Sequence, residues 1–274
     1  LDCNGKSLDL SRPQVMGVLN ITPDSFSDGG DFFTPEAAVE RALQMEADGA
    51  AIIDIGGEST RPGADPVSVE EELGRVVPVI ESLATRLGVP ISIDTRKPAV
   101  MRAAVEAGAG LINDVNALRE EAALEVAAAC SVPVCLMHMQ GEPRNMQAAP
   151  QYDDVVDEVR EFLHERVQAC LAAGIAREKL LLDPGFGFGK SVEHNLQLLA
   201  HLDAFSSMGI PILVGLSRKS MIGKLLGLEV GERLPASIAL AVLAVERGAV
   251  LVRTHDVAAT WQALQMNVAL RAVH

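Results

Sequence analysis

Short apolar segments alternate with longer segments of helical period from one end of this chain to the other. Most of the short segments are apolar over their whole length rather than at every second position. Such segments are typical of parallel strands that are covered on both faces. The eight predicted strands are residues 15–20, 51–56, 91–94, 111–114, 134–139, 180–183, 212–217 and 250–254.

The intervening segments carry helix signals. Seven apolar side chains in residues 153–173 fall on one helical stripe. Ser68 and Glu71 have the spacing of a capping box that opens a helix. Glycine before a strand supplies the left-handed cap at the end of the preceding helix. A Gly-Ala pair directly precedes three strands, at Gly49-Ala50, Gly108-Ala109 and Gly248-Ala249.

Eight strand and helix units in 274 residues predict an α/β fold, a single (β/α)8 TIM barrel, whose usual size is about 250 residues. A doubly wound open sheet is the alternative. No linker or shift in composition divides the chain, so we expect one domain that covers residues 1–274.

Composition narrows the classes of partner. Aromatic residues make up only 3% of the chain, so Ala, Val, Leu, Ile and Met must build the core. The net charge of −14 argues against nucleic acid or an anionic membrane as a partner. An anionic ligand would therefore need positive side chains gathered locally against the general field.

The cysteines and the longest apolar segments bear on the cellular compartment. No two of the four cysteines form a C-x-x-C pair, and three lie in apolar surroundings, so buried thiols are expected rather than disulfides or metal ligands. No apolar segment approaches the roughly 20 residues needed to cross a bilayer, and the pattern before the first strand is not the charged-then-apolar one expected of a leader. We expect a soluble, cytoplasmic protein with no membrane partner.

Polar or ionisable side chains follow the end of every predicted strand. In a barrel these ends converge on one face, which is where barrel active sites lie. Loop capping would explain one or two such residues but not eight sets. In chain order the sets are Asn20, residues 56–63, Asp94, Asn113, His138, Asp183, residues 217–220 and residues 253–256.

Two chemical types of side chain occur in this set. Asp94, Asn113 and Asp183 suit a flat heterocycle with several N–H donors, because each buried donor needs a partner. Groups of the opposite polarity suit a phosphate-bearing group, and they are Arg61, Lys219, Arg253 and His255. The pairing of the two subsites indicates transfer chemistry. A Ser-His-Asp hydrolase is disfavoured because no G-x-S-x-G elbow is present.

Several of these residues have a simpler structural interpretation. Asp94 and Asp183 are equally well explained, one at a time, as carboxylates that accept backbone N–H groups. His138 is expected to be a packed, hydrogen-bonded histidine rather than a ligand. Residues 185–191 end like a nucleotide-binding phosphate loop, but Pro184 stands where that motif needs its first glycine.

Two further segments have no apolar period. Residues 20–34 and 60–66 are rich in Gly, Pro, Ser and Asp. Ordinary connecting loops would have this composition. Because they follow the first two strands, we expect them to be mobile lids that cover an active site. Met137 and Met139 are expected to belong to the core, and no His, Cys or carboxylate spacing resembles a zinc site.

Taken in order, eight segments resemble the dihydropteroate synthase family of pterin-binding barrels, and they span residues 20 to 257. They are NITPDSFSDGG (20–30), GGESTRPG (56–63), IDTRK (93–97), INDV (112–115), MHMQGEP (137–143), DPGFGFGK (183–190), GLSRKS (215–220) and RTHDV (253–257). The resemblance implies a barrel, a homodimer, Mg²⁺ and a transfer reaction. In that reaction the amine of p-aminobenzoate replaces the pyrophosphate of a dihydropterin pyrophosphate.

The resemblance also implies roles for individual residues. The catalytic residues would be Asp94, Lys219, Arg253 and His255. The pterin would contact Asp94, Asn113, Asp183 and Lys219. Pyrophosphate would contact Asn20, Thr60, Arg61, Arg253 and His255, with Asn20 also binding the metal. The p-aminobenzoate subsite would contain Phe26, Pro62, Phe188 and Ser220.

Two other functions use the same kind of barrel. A methyltetrahydrofolate–corrinoid methyltransferase would share the acidic pterin contacts but would have no use for the cationic segments 217–219 and 253–255. A barrel that has lost its activity and serves as a binding module would not need two lid-like loops. Release of pyrophosphate that requires both substrates would separate the three possibilities.

Overall fold

Eight parallel strands close into a barrel in the computed structural model, which describes residues 1–22, 34–59, 63, 65–142 and 146–273. The strands follow one another in chain order, and the last pairs with the first. The prediction of a (β/α)8 barrel is confirmed, and the open-sheet alternative is wrong. Two short strands, β1 (Asp2–Cys3) and β2 (Lys6–Ser7), precede the barrel. The barrel strands are β3 (Gln14–Asn20), β4 (Ile52–Gly56), β5 (Ile91–Asp94), β6 (Leu111–Asp114), β7 (Val134–Met137), β8 (Leu180–Asp183), β9 (Ile212–Gly215) and β10 (Ala249–Thr254).

Helices cover the outside of this barrel. Alternate strand residues such as Ile53 and Ile55 pack with buried helix residues in one large apolar cluster. The helices are α1 (Pro35–Ala47), α2 (Val69–Ala84), α3 (Pro98–Ala107), α4 (Ala123–Cys130), α5 (Val155–Ala172), α6 (Val192–Ala200), α7 (Ser220–Leu226), α8 (Leu234–Glu246) and α9 (Val257–Arg271). No helix within the described ranges is both long and apolar enough to span a membrane.

Local signals in the sequence place most element ends correctly. The glycines of the three Gly-Ala pairs all have φ between +102° and +121°, a range that side chains rarely adopt. Ser68 caps α2 by accepting a hydrogen bond from Glu71 N at 3.1 Å. The Glu71 side chain, however, contacts Arg75 at 2.5 Å instead of returning to Ser68. The capping box is therefore only half formed.

Two strands end two residues earlier than predicted. β7 ends at Met137 and β9 at Gly215. His138 N still donates to Asp183 O at 3.0 Å, but the chain then turns toward the loop after β7. After β9 the turn includes Arg218 with φ of +54°, which ends any extended backbone. The length of an apolar segment thus overestimates the length of the strand when the last apolar residues belong to a turn.

A short N-terminal hairpin closes the bottom of the barrel and was not predicted. It consists of β1 (Asp2–Cys3) and β2 (Lys6–Ser7). Cys3 and Leu8 join the inward-facing apolar side chains at the amino ends of the strands. Lys6 Nζ donates to the carbonyl oxygen of Ala84, the last residue of α2, at 2.9 Å and to that of Leu87, just after the helix, at 2.7 Å. The N-terminal residues, which carry no recognisable motif, therefore have a structural role in packing against the barrel.

The thiols follow the sequence-based expectation. All four cysteines are free; Cys3, Cys135 and Cys170 are buried and Cys130 is partly buried. Burial raises the pKa of Cys3 to about 11, against a smaller opposing effect of the N-terminal ammonium group. These thiols act as small apolar groups.

The hairpin contact yields a test of stability. Leu8→Ala should lower the free energy of unfolding by about 2–4 kcal/mol, because Leu8 is only 1% exposed and its loss leaves a cavity under the barrel. Urea unfolding measures the change. Leu10→Ala is the control, since Leu10 is only partly buried against the same cluster, and it should cost clearly less. Equal losses of stability for the two substitutions would show that Leu8 is not tightly packed against the amino end of the barrel.

Candidate active site

The inside of the barrel changes from apolar to polar along its axis. Near the amino ends of the strands, inward positions carry apolar side chains such as Ile52, Leu111 and Leu181. Successive strand side chains alternate between faces, so the residue two positions further on also points inward. Those next residues include Asp54, Asn113, Asp183 and Arg253. The carboxyl end of the barrel is therefore a polar chamber above an apolar floor.

Arg253 is the cation at the centre of this chamber. Its Nε donates to Asp54 Oδ2 at 2.6 Å and its Nη2 donates to Asp94 Oδ2 at 2.7 Å. Burial acts to lower the pKa of Arg253, but the charges of Asp54 and Asp94 outweigh it and keep the pKa above the usual value. Burial raises the pKa of Asp94 to about 7, against the opposing effect of Arg253.

Asp54 is the site residue that sequence reasoning missed. Its side chain is fully buried, and besides Arg253 it accepts a hydrogen bond from Asn113 Nδ2 at 3.1 Å. The attention to strand ends passed over it because it lies two residues before the end of β4. The available signal was a carboxylate at an inward position of an otherwise apolar strand, IIDIG.

Several buried oxygens in the chamber lack a partner. Within the described ranges, Asp54 Oδ1, Asp94 Oδ1 and Ser92 Oγ accept or donate no hydrogen bond. Buried polar atoms are nearly always paired, so the unpartnered oxygen of Asp94, at the carboxyl end of its strand, marks where a ligand can donate a hydrogen bond. The acceptor character of the chamber matches the predicted subsite for N–H donors.

Asp183 and Lys219 lie on the opposite side of the chamber. Asp183 Oδ1 accepts from Gly185 N at 2.7 Å, and burial raises the Asp183 pKa against this hydrogen bond and the nearby lysines. Burial lowers the pKa of Lys219 to about 8, with Asp183 opposing the change. The Lys219 ammonium lies 4.3 Å from the centre of the Phe188 ring, a cation–π distance. The structure thus brings Asp183, Lys219 and Phe188 together.

A buried lysine organises the loop between Asp183 and Lys190. Lys190 is 2% exposed, and its Nζ contacts His138 Nδ1 at 2.8 Å, Gly185 O at 2.9 Å and Phe188 O at 3.1 Å. Burial lowers the pKa of Lys190 to about 7. Here the lysine that ends the GFGFGK segment binds its own loop, in agreement with the rejection of a nucleotide phosphate loop.

His138 is packed rather than exposed to a ligand, as expected. Its ring meets Phe162 edge to face at 4.9 Å. Burial lowers its pKa to about 2, and Lys190 contributes in the same direction. His138 is therefore neutral and accepts the hydrogen bond from Lys190. Nearby, Met137 and Met139 are buried in a small apolar cluster that Phe188 contacts.

His255 follows β10 at the rim of the barrel. Its Nδ1 lies 3.0 Å from Ser217 Oγ, which also accepts the backbone N–H of His255 at 3.2 Å. Burial lowers the pKa of His255 to about 4, and Arg253 adds to that effect. Behind it, Arg218 pairs with Asp256 at 2.5 Å. His255 is consequently a neutral donor or acceptor held beside Arg253 in the chain.

Asn20 ends β3 opposite Gly56 of β4. A Cβ atom at Gly56 would lie 3.7 Å from both Asn20 Oδ1 and Asp94 Oδ2, so these two oxygens share the space above that glycine. No cluster of three or more His, Cys, Asp or Glu side chains suited to a metal occurs in the described part of the chain. Mg²⁺ takes oxygen ligands and usually includes water and substrate phosphates among them, and the Asn20 amide oxygen is of that ligand type.

The described part of the chain does not include every predicted site residue. Phe26, Thr60, Arg61 and Pro62 lie outside the described residues, as does most of the two predicted lid segments. Ser220 begins α7 and is exposed. The other predicted site residues lie at the carboxyl ends of the strands or in the segments that follow them.

An ion cluster lies beside the described start of the loop after β4. Lys97 Nζ contacts Glu58 Oε2 at 2.8 Å and the fully buried Glu72 Oε2 at 2.5 Å. Arg75 donates to Gly57 O at 2.7 Å. These contacts fix the backbone at residues 57 and 58 to helix α2 and to the segment after β5.

The buried histidine gives a pH-dependent prediction. The folded protein keeps His138 neutral, whereas the unfolded chain takes up a proton below the ordinary value of 6.5. Neutral His138 therefore makes its full contribution to the free energy of unfolding above pH 6.5, and this contribution is lost as the pH falls below that value. Between pH 7 and pH 5, the free energy of unfolding of wild type should fall by about 2 kcal/mol more than that of His138→Gln.

Urea unfolding at the two pH values measures this difference. His201→Gln, which replaces an exposed histidine, is the matched control and should keep the wild-type response. If His138→Gln lost the same stability as wild type on acidification, protonation of His138 would not oppose folding.

Comparison with known proteins identifies the family of this chain. The family described as "Pterin binding enzyme" matches residues 16–255. The Escherichia coli dihydropteroate synthase is 56% identical, with coverage of 97% of this chain and 94% of that protein. A Yersinia pestis dihydropteroate synthase solved with a sulfonamide drug has a TM-score of 0.96 and 54% identity, with 99% of both chains covered.

A second solved structure contains 7,8-dihydropteroate. The Xanthomonas albilineans dihydropteroate synthase in complex with 7,8-dihydropteroate has a TM-score of 0.91 and 53% identity. The match covers 99% of this chain and 98% of that one. With the family match, the identity over nearly the whole chain and the shared barrel taken together, this chain belongs to the dihydropteroate synthases of the pterin binding enzyme family.

Proposed function

We propose how this chain carries out the reaction of its family, in which p-aminobenzoate replaces pyrophosphate on a dihydropterin. The observation that carries the proposal is the polar chamber. Asp94 Oδ1, a carboxylate oxygen with no partner among the described residues, belongs to the same side chain that accepts a hydrogen bond from the partly buried Arg253. A pterin ring supplies the N–H groups that such oxygens need, and a pyrophosphate supplies the charge that the cations need.

The pterin subsite consists of Asp94, Asn113, Asp183 and Lys219. Asp183 presents a buried carboxylate that one backbone N–H already orients, and it would pair with the amino-pyrimidine edge. Asn113 donates its amide N–H to Asp54, which leaves its oxygen to accept from the ring. Lys219 would donate to a ring acceptor from the opposite side.

Arg253 and His255 form the described part of the pyrophosphate subsite. Ser217 Oγ accepts the backbone N–H of His255, so its own hydrogen can point to His255 Nδ1. That arrangement puts the ring proton on Nε2, from which a neutral histidine donates to an anion. Thr60 and Arg61 would complete this subsite from outside the described residues.

The reaction needs a good leaving group more than a base. An aryl amine is unprotonated at neutral pH, so attack requires no strong general base. Arg253 and His255 would stabilise the charge that develops on pyrophosphate. Mg²⁺, held by Asn20, would neutralise further phosphate charge when bound. Asp94, beside Arg253, would stabilise positive charge on the pterin.

Phe188 and Ser220 would shape the p-aminobenzoate subsite. Phe188 lies under the Lys219 ammonium at 4.3 Å and is positioned by Lys190 through its carbonyl oxygen. Ser220 exposes its hydroxyl at the start of α7, where it would meet the carboxylate. Phe26 and Pro62 would contribute from the predicted lids. Methyl transfer to a corrinoid would have no use for the cationic groups at this rim.

We also propose that the protein is a cytoplasmic homodimer and a target of sulfonamides, one of which is bound in the Yersinia pestis relative. Exposed apolar side chains support the dimer. Those described that are large and more than 40% exposed all lie between α7 and the C-terminal tail. They are Leu225, Leu226, Val230, Leu243, Trp261, Met266, Leu270 and Val273.

The activity has a direct test. Purified protein with Mg²⁺ should release pyrophosphate only when both the dihydropterin pyrophosphate and p-aminobenzoate are present. A coupled phosphate assay measures the release, and omission of each substrate is the control. Methyl transfer without pyrophosphate release, or no turnover at all, would contradict the proposal.

The role of Asp183 is tested by one substitution. Asp183→Asn replaces an acceptor with a donor and should weaken pterin binding by about 2–4 kcal/mol, the scale for breaking a buried charged hydrogen bond. Calorimetry with the pterin substrate measures the affinity. Asp203→Asn, at an exposed aspartate, is the control. Near-normal affinity of Asp183→Asn would remove Asp183 from the site.

The dimer is tested by sedimentation. Wild type should sediment at twice the chain mass of 29.0 kDa. Leu226→Glu should shift the equilibrium toward monomer, because it places a charge on an apolar contact. Gln168→Glu adds the same charge to an exposed position of α5 and should leave the dimer intact. A monomeric wild type, or equal behaviour of the two variants, would contradict the proposed interface.

A further inference from the structure

Asp54 is a buried carboxylate that the proposed substrate contacts do not use. It lies in the middle of β4 with 0% exposure. Its neighbours in register are Val18 of β3 and Ser92 of β5. An isolated buried charge is costly unless strong hydrogen bonds compensate it. The position of its partners therefore indicates what this charge does.

Both side-chain partners of Asp54 belong to the proposed substrate site. Oδ2 accepts from Arg253 Nε at 2.6 Å and from Asn113 Nδ2 at 3.1 Å. Arg253 lies on β10, two strands away in one direction, and Asn113 lies on β6, two strands away in the other. One carboxylate oxygen thus connects strands on both sides of β4 beneath the chamber.

These two hydrogen bonds fix the orientation of groups that would meet the substrate. An amide that directs its NH₂ group to Asp54 directs its oxygen elsewhere, so Asn113 becomes an acceptor toward the chamber. A guanidinium with Nε held by Asp54 and Nη2 held by Asp94 has a fixed plane. Asp54 controls both the amide direction and the guanidinium plane.

A second buried carboxylate shows what a purely structural role looks like. Asp114 is also 0% exposed, but its oxygens accept backbone N–H groups of its own loop, from Asn116 and Leu118, each at 2.7 Å. Asp114 stabilises a turn. The bonds of Asp54 instead come from two side chains on distant strands.

We propose that Asp54 is a positioning residue of the pterin site, which orients Asn113 and Arg253 without touching the substrate. The inference rests on the proposed function, since it concerns the same site. It predicts that the charge of Asp54 affects ligand affinity through these two residues. It also predicts that an equally buried carboxylate elsewhere does not.

The first experiment compares Asp54→Asn with Asp114→Asn. Calorimetry with 7,8-dihydropteroate measures affinity, and urea unfolding measures stability. Asp54→Asn keeps the shape but loses the charge-assisted bonds, so binding should weaken about tenfold to hundredfold. Asp114→Asn should lower stability yet keep the affinity within about twofold of wild type. If Asp54→Asn does not fold, Asp54→Ser, which removes the charge with a smaller side chain, replaces it.

A double-mutant cycle separates positioning from general destabilisation. The affinity loss caused by Asp54→Asn should be clearly smaller in an Asn113→Ala background, because part of its route to the ligand is already gone. A purely structural role would give the same fold loss in both backgrounds. Equal losses, or wild-type affinity of the Asp54 variant, would overturn the inference while the proposed function stands. Failure of wild type to bind 7,8-dihydropteroate would overturn both.

Discussion

The polar chamber of this barrel depends on the pairing of Arg253 with Asp54 and Asp94. Each partner alone would be an unfavourable buried charge, since burial raises the pKa of Asp94 and acts to lower that of Arg253. Together they form two short hydrogen bonds, at 2.6 and 2.7 Å, between strands on different sides of the barrel. This triad lets charge exist above the apolar floor, and the rest of the site is arranged around it.

The chain is strongly acidic, with a net charge of −14, yet its proposed substrates carry negative charge. Arg253, Lys219 and His255 lie at or just after strand ends, where the barrel gathers them on one face. Lys190 also lies near this face, but its ammonium binds its own loop and holds Phe188 in place. Local concentration of cations, rather than overall charge, therefore suits the chain to an anionic leaving group.

Packing below the chamber limits how far the side chains of the site can move. Leu8 and Cys3 fill the barrel from the amino end, so the inward side chains of the strands cannot relax downward. Polar groups above them, such as Asp54, are held at fixed heights by the alternation of strand residues. A preorganised site follows from this geometry, because its orienting groups are set before a ligand arrives.

The sequence by itself determined the barrel, most strand limits and most of the side chains that the fold gathers at one face. These features are local: continuous apolar strands, glycines with positive φ and polar residues at strand ends are visible along the chain. Asp54 escaped because its importance comes from Asn113 and Arg253, which lie 59 and 199 residues away.

The N-terminal hairpin was not predicted for the same reason, since its role is to pack against the amino end of the barrel, which residues distant in the chain form. The capping box at Ser68 was only half formed because Glu71 has a competing partner, Arg75. Tertiary structure thus decided which polar groups pair with each other. The energy of a buried charge depends on its neighbours in space, and a pattern along one chain does not contain them.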